Sequence, residues 1–275
     1  MGLATVLGLA PRGYFIPYRY ASGLGRRAGG YPALERILDG HRATFGDWLS
    51  VVDAHSADLR AIDGSGDDRA RWDQDWFPRL DAAIAYAMIR RLTPKLVIEV
   101  GSGHSTRFMA RAITDGGLST EIVAIDPAPR AAIEALPLTL VRATLQQAEP
   151  SLFARLGPGD LLCVDSSHIL MPGTDVDIVV NDILPSLPSG VVVFFHDIFL
   201  PDPYPETWAW RGYNEQSAVA LLVAQAGWPV EFASHYAVTR LGDAVSRSAA
   251  AGLPLPPDAV ESSLWLTSAG ARVAD

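Results

Sequence analysis

Polar and titratable side chains follow four apolar runs of this sequence, and they are the residues best placed to do chemistry. These groups are Glu99 with Gly101, Ser102 and Gly103, then Asp126, then Asp165 with His168, and finally His196 with Asp197. In open parallel sheets, functional residues lie just past the carboxyl ends of the strands. One acid at such a position is common by chance, but four polar ends together predict a functional site.

Residues 95–113 predict a ligand site within this set. An apolar, β-branched run at 96–100 is typical of a buried parallel strand, and two glycines follow it directly. Ser105 and Thr106 can cap the helix that begins there. A strand that leads through a glycine turn into a free helix N-terminus can bind a ligand. Asp126, about 25 residues further on, can accept both hydroxyls of a ribose.

The rest of the chain alternates between strand and helix patterns. Further strands are predicted at 121–126, 138–141, 160–165, 190–196, 230–234 and 262–268. Helical patterns occupy 31–59, 77–92, 130–136, 149–156, 176–187 and 215–226. The order predicts an α/β fold with a doubly wound, mostly parallel seven-stranded sheet. We expect residues 1–92 to form an arm and a helical layer packed on the sheet, and residues 93–275 to form the main domain.

The composition limits the classes of partner. A net charge of −9, from 22 basic and 31 acidic residues, argues against bulk binding of nucleic acid. The first 34 residues differ, because they contain Arg12, Arg19, Arg26 and Arg27 and no acid. This arm could be solvated, could cover an anionic ligand, or could contact a membrane surface. A homo-oligomer is also possible.

The sequence favours a cytoplasmic protein. Its single cysteine, Cys163, lies in an apolar run and suits the core of a protein in a reducing compartment. The apolar run at 3–10 has no preceding positive region, so we expect no signal peptide. No apolar stretch reaches the roughly 18 residues of a membrane span, and we therefore expect no integral membrane segment.

The motifs taken together resemble class I S-adenosylmethionine-dependent methyltransferases, and more narrowly their small-molecule branch with EVGSGxST, DSSH and HDIFxPxxYP motifs. The matching runs are VIEVGSGHST, IDP, VDSSH, GTDVD, GVVVFFHDIFLPDPYPETW and YNEQ. The resemblance covers roughly residues 31–234. It implies a Rossmann-like methyltransferase fold, S-adenosylmethionine as cofactor and methylation of a small molecule, with oxygen favoured over nitrogen as the acceptor atom.

The resemblance also implies a cofactor-binding set. Glu99, Gly101, Ser102 and Gly103 would surround the methionine half, and Ser105 and Thr106 follow them at the start of the helix. Asp126 would take the ribose hydroxyls, residues 145–147 would lie near the adenine, and Asp165 would lie near the reacting methyl group. A nicotinamide-dependent oxidoreductase is the alternative enzyme class, but its usual third glycine would fall at Thr106. A non-catalytic cofactor-binding protein on the same scaffold is a further alternative.

The catalytic chemistry has three open interpretations. His168, or the pair His196 and Asp197, could supply a general base for an acceptor hydroxyl. Alternatively, Asp165, His196 and Asp197 could hold a divalent metal that lowers the pKa of the hydroxyl. In the third interpretation, His196 and Asp197 only orient the loop that follows them.

The acceptor pocket is expected among aromatic and polar residues outside these motifs. After Asp197 they are Tyr204, Trp208, Trp210, Tyr213, Asn214 and Glu215, and before the first strand they are Trp72, Trp76 and Phe77. Aromatic walls with a few polar groups suit a planar or sugar-like small molecule.

Overall fold

The sheet has seven strands in the order β3-β2-β1-β4-β5-β7-β6. The computed structural model describes residues 2–25, 27–65 and 70–270. The strands are β1 (Leu96–Val100), β2 (Glu121–Ile125), β3 (Thr139–Val141), β4 (Leu161–Val164), β5 (Val192–Phe195), β6 (Val230–Ala233) and β7 (Leu264–Thr267). β1 to β5 are parallel, and β7 runs antiparallel to both β5 and β6. The predicted doubly wound, mostly parallel sheet is confirmed.

Helices form most of the chain before β1 and many of the connections between the strands. They are α1 (Gly2–Val6), α2 (Pro32–Asp39), α3 (Arg42–Ala54), α4 (Ser56–Arg60), α5 (Arg79–Leu92), α6 (His104–Gly116), α7 (Asp175–Ile178), α8 (Leu184–Ser186), α9 (Glu215–Leu221), α10 (Ser234–Arg240) and α11 (Gly242–Arg247). A π-helical turn at Val179–Ile183 joins α7 to α8, and another at Leu222–Ala226 extends α9. Short 3-10 turns lie at Ala21–Gly23, Leu145–Gln147, Pro150–Arg155, Glu206–Arg211 and Ala249–Gly252.

The centre of the sheet is buried on both faces. All five residues of β1 are buried, as are all four of β4 and of β5. Helix α5 is buried from Leu80 to Ile89 and packs beside α6. Burial on both faces explains why these strands are continuous apolar runs rather than alternating ones.

Three helical predictions differ from the structure. The pattern at 31–59 is three helices, broken at Gly40 and at His55. The segment 130–136 is not a helix, because the guanidinium of Arg107 donates to the carbonyl of Ala132 at 2.9 and 3.1 Å. Residues 149–156 form a 3-10 turn rather than an α-helix. Helices α1, α10 and α11 were not predicted.

No helix in the described ranges is long and apolar enough to cross a membrane.

Candidate active site

The glycine turn after β1 lies close to the carboxyl ends of β2 and β4. Gly101 has φ +78°, and its amide donates to the carbonyl of Ile125 at 3.0 Å. A Cβ added to Gly101 would lie 1.8 Å from the backbone oxygen of Asp165. The turn therefore needs glycine for its conformation and for the close approach of the chain after β4.

Glu99 lies behind this turn rather than in the cavity in front of it. The hydroxyls of Ser105 and Thr106 donate to its two carboxylate oxygens, and the amide of Gly103 donates to Thr106 Oγ1 at 2.9 Å. Burial raises the pKa of Glu99 to about 8, although the two hydroxyls oppose the shift. Glu99 thus fixes the start of α6, and neither it nor Thr106 lines the cavity.

Asp126 follows β2 and faces the turn across a short gap. Its Oδ2 accepts from the amide of Ser102 at 2.8 Å and from the hydroxyl at 3.0 Å, and its Oδ1 accepts from the amide of Ala128 at 2.8 Å. These contacts use both lone pairs of Oδ2 and leave one on Oδ1 for a ligand, and rotation of the Ser102 hydroxyl would free a second. The structure therefore brings Asp126 and Ser102 together at the carboxyl edge of the sheet.

A cavity of about 500 Å³ opens at this edge. Of the predicted cofactor-binding residues, Gly101, Ser102, Gly103, Ser105, Asp126 and Asp165 line it, together with Leu145 and Gln146. Ser166 also lines it, and its buried hydroxyl has no hydrogen-bond partner within the described ranges. An unpartnered hydroxyl in a cavity wall is suited to contact a bound ligand.

His104 contributes to the same wall as a neutral ring. The ring is half-buried, and its Nδ1 has no hydrogen-bond partner among the residues that the structure describes. Burial lowers the pKa of His104 to about 4, and the charges of Arg107 and Arg71 add to the effect.

A second cavity of about 170 Å³ lies beside the first. Trp76, Arg130 and Asp165 line both cavities. The predicted catalytic residues His168, His196 and Asp197 all line the smaller one. The structure thus brings the ends of β4 and β5 together around a small, strongly charged space.

The ring of His168 is enclosed by carboxylates. Its Nδ1 lies 2.9 Å from Oε2 of Glu215, and its Nε2 lies 3.4 Å from an oxygen of Asp165 and 3.4 Å from one of Asp197. Burial alone would lower the pKa of His168, but Asp165 and Glu215 outweigh it and raise the pKa well above its usual range. The raised pKa favours the protonated ring, in which both nitrogens donate and neither can accept a proton.

His196 has a similar environment on the other side of Asp165. Its Nδ1 lies 3.6 Å from Asp165 and 3.5 Å from Asp197, and its Nε2 lies 3.5 Å from Asp81. Burial opposes the charge, but Asp165 and Asp197 raise the pKa of His196 well above its usual range. Asp81 is fully buried on α5, where its carboxylate also accepts the amides of Ser262 and Ser263.

Asp165 is the residue at which these contacts meet. Burial by itself would raise its pKa, but the charge of His196 and the contact with His168 lower it well below the usual range. Its side chain is about one-third exposed, at 32%. The lowered pKa favours the carboxylate form of Asp165, a residue that lines both cavities.

The three residues predicted to hold a metal lie together, but they do not fit one. No group of three His, Cys, Asp or Glu side chains in the described ranges is arranged to hold a metal ion.

The expected acceptor residues divide into three groups. Trp76, Trp208 and Tyr213 line the smaller cavity. Trp72 and Tyr204 are covered by other aromatic rings, since Trp72 packs on Phe108 at 4.8 Å and Tyr204 packs on Phe199 at 5.8 Å. The remaining four residues do not line the smaller cavity: Phe77 packs against His196, Trp210 is exposed, Asn214 binds the backbone of Leu170, and Glu215 lies behind His168.

Sequence reasoning missed Asp81, Arg130 and Arg211. Asp81 lies within an otherwise apolar helix, and an acid at a core-facing position was its only signal. Arg130 stacks on Trp76 with its guanidinium carbon 4.4 Å from the ring centroid, and Arg211 stacks on Trp208 at 3.9 Å. Arg211 falls inside the expected acceptor segment but was passed over in favour of the aromatic residues.

Comparison with known proteins identifies the type of domain. Residues 98–198 match a family model described as a methyltransferase domain. A comparison with curated protein sequences found no match. Among solved structures, the chain is similar to the SAH-bound methyltransferase PaMTH1 of Podospora anserina, at 15% identity over 92% of this chain and 98% of that one, with a TM-score of 0.38. It is also similar to a structure described as cmcI-D160 Mg-SAM, at 13% identity over 50% of this chain and 58% of that one, with a TM-score of 0.31.

The matched segment runs from β1 to just past the end of β5, so it contains the glycine turn, Asp126, Asp165 and Asp197. The sheet adds the antiparallel β7 between β5 and β6. The family match places a methyltransferase domain in residues 98–198, and the strand order is that of the predicted Rossmann-like sheet.

Proposed function

We propose that this enzyme methylates a hydroxyl group of a small molecule, with the cofactor in the larger cavity and the acceptor in the smaller one. The observation that carries the proposal is the position of Asp165, which lines both cavities. A methyl group can pass between two ligands only where their sites adjoin, and these two sites adjoin at Asp165.

The larger cavity has the size and polarity that the cofactor needs. Its volume of about 500 Å³ lies within the range of roughly 300–1,000 Å³ common for small-molecule sites. In this proposal Asp126 accepts the ribose hydroxyls, Leu145 and Gln146 lie along the adenine, and the unpartnered hydroxyl of Ser166 contacts the ligand. When bound, S-adenosylmethionine supplies an electrophilic methyl group on a positively charged sulfur.

In this proposal, Asp165 and Asp197 are the residues that act on the reacting groups. The negative charge of Asp165 attracts the positive end of the cofactor. The carboxylate of Asp197, which is 12% exposed and lines the smaller cavity, accepts the hydrogen of the acceptor hydroxyl and takes its proton as the new bond forms. His168 and His196 hold these two acids in place as imidazolium ions, and we assign the two histidines positioning roles rather than the role of base.

The smaller cavity limits the size of the acceptor. A volume of about 170 Å³, bounded by Trp76, Trp208 and Tyr213, fits a single ring rather than a polymer. The stacked guanidinium groups of Arg130 and Arg211 add hydrogen-bond donors to this wall. A small hydroxylated ring compound meets these requirements.

A turnover assay tests the proposal. Transfer of label from S-adenosyl-[methyl-³H]methionine would be measured over a panel of hydroxylated and amino-substituted ring compounds and sugars, with and without EDTA. We expect transfer to a hydroxyl compound that EDTA does not inhibit. Transfer only to amines, or transfer abolished by EDTA and restored by magnesium, would contradict the proposal.

A further inference from the structure

The amino-terminal arm, residues 2–25, concentrates the exposed apolar side chains of the molecule. Ten of the fourteen large apolar side chains that are exposed among the described residues lie in it. They are Leu3, Val6, Leu7, Leu9, Tyr14, Phe15, Ile16, Tyr18, Tyr20 and Leu24, each between 54 and 78% exposed. Single exposed apolar residues are ordinary, but a contiguous set indicates an interaction surface.

The arm belongs to a basic amino-terminal segment of an otherwise acidic protein. Residues 1–34 contain four arginines and no acid, whereas the whole chain carries a net charge of −9. Arg12 and Arg19 of the arm, and Arg27 just after it, form no ion pair with a carboxylate within the ranges 2–25, 27–65 and 70–270. Arg19 instead lies over the ring of Tyr20, at 5.4 Å. The arm thus presents unneutralised positive charge beside its apolar side chains.

The chain just after the arm is held by the body, and one residue of the arm reaches the cofactor cavity. The guanidinium of Arg27 lies 4.4 Å from the ring centroid of Tyr31, whose amide donates to the carbonyl of Pro201 at 2.7 Å. Tyr14 lines the larger cavity. A surface bound by the arm would therefore lie near the opening of this cavity.

We propose that the arm docks the enzyme on an anionic lipid surface. Tyrosine and phenylalanine with arginine are the side chains that bind the boundary between lipid headgroups and acyl chains, since the rings enter the boundary while the guanidinium groups meet the headgroups. The charge of the arm is complementary to anionic lipid, and the acidic remainder of the protein would be repelled from it. The proposal is independent of methyl transfer, because it concerns residues outside the catalytic cluster.

Vesicle sedimentation tests this surface. The full-length protein would be mixed with vesicles of phosphatidylcholine alone and with vesicles that also contain phosphatidylglycerol, at low and at high sodium chloride. We expect binding only to the anionic vesicles, and loss of that binding at high salt. Equal binding to the two kinds of vesicle, or no binding to either, would overturn the proposal.

Two double variants separate the charge from the apolar contacts. Arg12→Gln with Arg19→Gln should weaken binding by about fivefold for each arginine removed, and Phe15→Ser with Ile16→Ser should weaken it further. Arg60→Gln with Arg247→Gln removes two exposed arginines outside the arm and should leave binding unchanged. Titration with S-adenosylhomocysteine would show that each variant is folded.

A second copy of the chain is the other partner that could cover the arm. Light scattering would distinguish it, since the lipid proposal predicts the same mass in solution for the wild type and for the arm variants. A dimer that the arm substitutions convert to a monomer, without vesicle binding, would assign the surface to self-association and overturn the proposal.

Discussion

His168 Nδ1 lies 2.9 Å from Oε2 of Glu215, a fully buried residue 47 positions later in the chain. The opposite ring nitrogen faces Asp165 and Asp197, each at 3.4 Å. The histidine therefore joins one acid behind the site to two acids in front of it. This arrangement keeps His168 charged and makes its protonation depend on a residue that does not line either cavity.

Replacing Glu215 should change the titration of His168. Glu215→Gln keeps the shape of the side chain but removes the negative charge that helps raise the pKa of His168. We expect that pKa to fall, so that the ring loses its proton at lower pH and turnover declines at lower pH than in the wild type. NMR of the imidazole nitrogens and the pH profile of kcat would measure the two effects.

The matched control is Glu149→Gln, an exposed glutamate for which no ion pair is formed within the described ranges. It should leave both profiles unchanged. An unaltered histidine titration in Glu215→Gln would show that Glu215 does not set the charge of His168.

Replacing Asp197 should separate chemistry from cofactor binding. Asp197→Asn removes the proposed proton acceptor but leaves the residues of the larger cavity intact, so kcat should fall by about a hundredfold or more. The affinity for S-adenosylhomocysteine should stay within about twofold, because the change leaves that ligand's contacts in place. Asp182→Asn, on an exposed helical turn, serves as the control. Full turnover by Asp197→Asn would exclude this role.

The stability of the protein should fall as the pH rises through the range in which Glu99 titrates. Burial raises the pKa of Glu99 from its ordinary 4.5 to about 8. Between these two values the folded protein holds a proton that the unfolded chain releases, so the free energy of unfolding decreases as pH increases. The glutamine of Glu99→Gln cannot ionise. In this variant the free energy of unfolding should therefore fall less with rising pH than in the wild type, by on the order of 4 kcal/mol.

Urea unfolding of the wild type and of Glu99→Gln at about pH 5 and about pH 8 would measure the difference between their free energies of unfolding. Linkage requires this difference to change as the pH rises between the two values. His168 and His196 also have raised pKa values, so their stabilisation is complete at low pH and is lost as pH rises through those values. Part of the decrease should therefore remain in Glu99→Gln. Equal pH dependence in the two proteins would show that Glu99 is ionised when folded.

The glycine turn should not tolerate a side chain. Gly101→Ala places a Cβ 1.8 Å from the carbonyl oxygen of Asp165 at φ +78°, which forces the ends of β1 and β4 apart. We expect a loss of at least about 2 kcal/mol in the free energy of unfolding, measured by chemical denaturation. Gly46→Ala, inside α3 with open space at its Cβ, should stabilise the protein by up to about 1 kcal/mol. Similar results for both variants would contradict the close contact.

The sheet could be predicted from the sequence because its central strands are buried on both faces. Runs such as Leu161–Val164 and Val192–Phe195 are continuously apolar, and that pattern needs no information about distant residues. The segment 130–136 was mispredicted for the opposite reason. Its backbone is held by Arg107, a residue on a different element, and no local pattern reports such a bond.

The same distinction holds for the candidate site, where some residues could be predicted from local patterns and others could not. Asp126, Asp165 and Asp197 follow strands, so their positions could be predicted from the order of the runs. The partners Asp81 and Glu215 could not, since they reach the histidines from helices α5 and α9. Their contacts help raise the pKa values of the two histidines, and this is why the predicted general base becomes a positioning residue in our proposal.

Calorimetric titration with S-adenosylhomocysteine tests the central claim most directly. We predict saturable binding by the wild type, a loss of about ten- to a hundredfold in affinity for Asp126→Asn, and no change for Asp243→Asn, an exposed acid with no ion pair in the described ranges. Asn at 126 keeps the size of the side chain and removes one acceptor and the charge. Absence of binding to the wild type, or equal affinity of Asp126→Asn, would contradict a cofactor site at the carboxyl edge of β1 and β2.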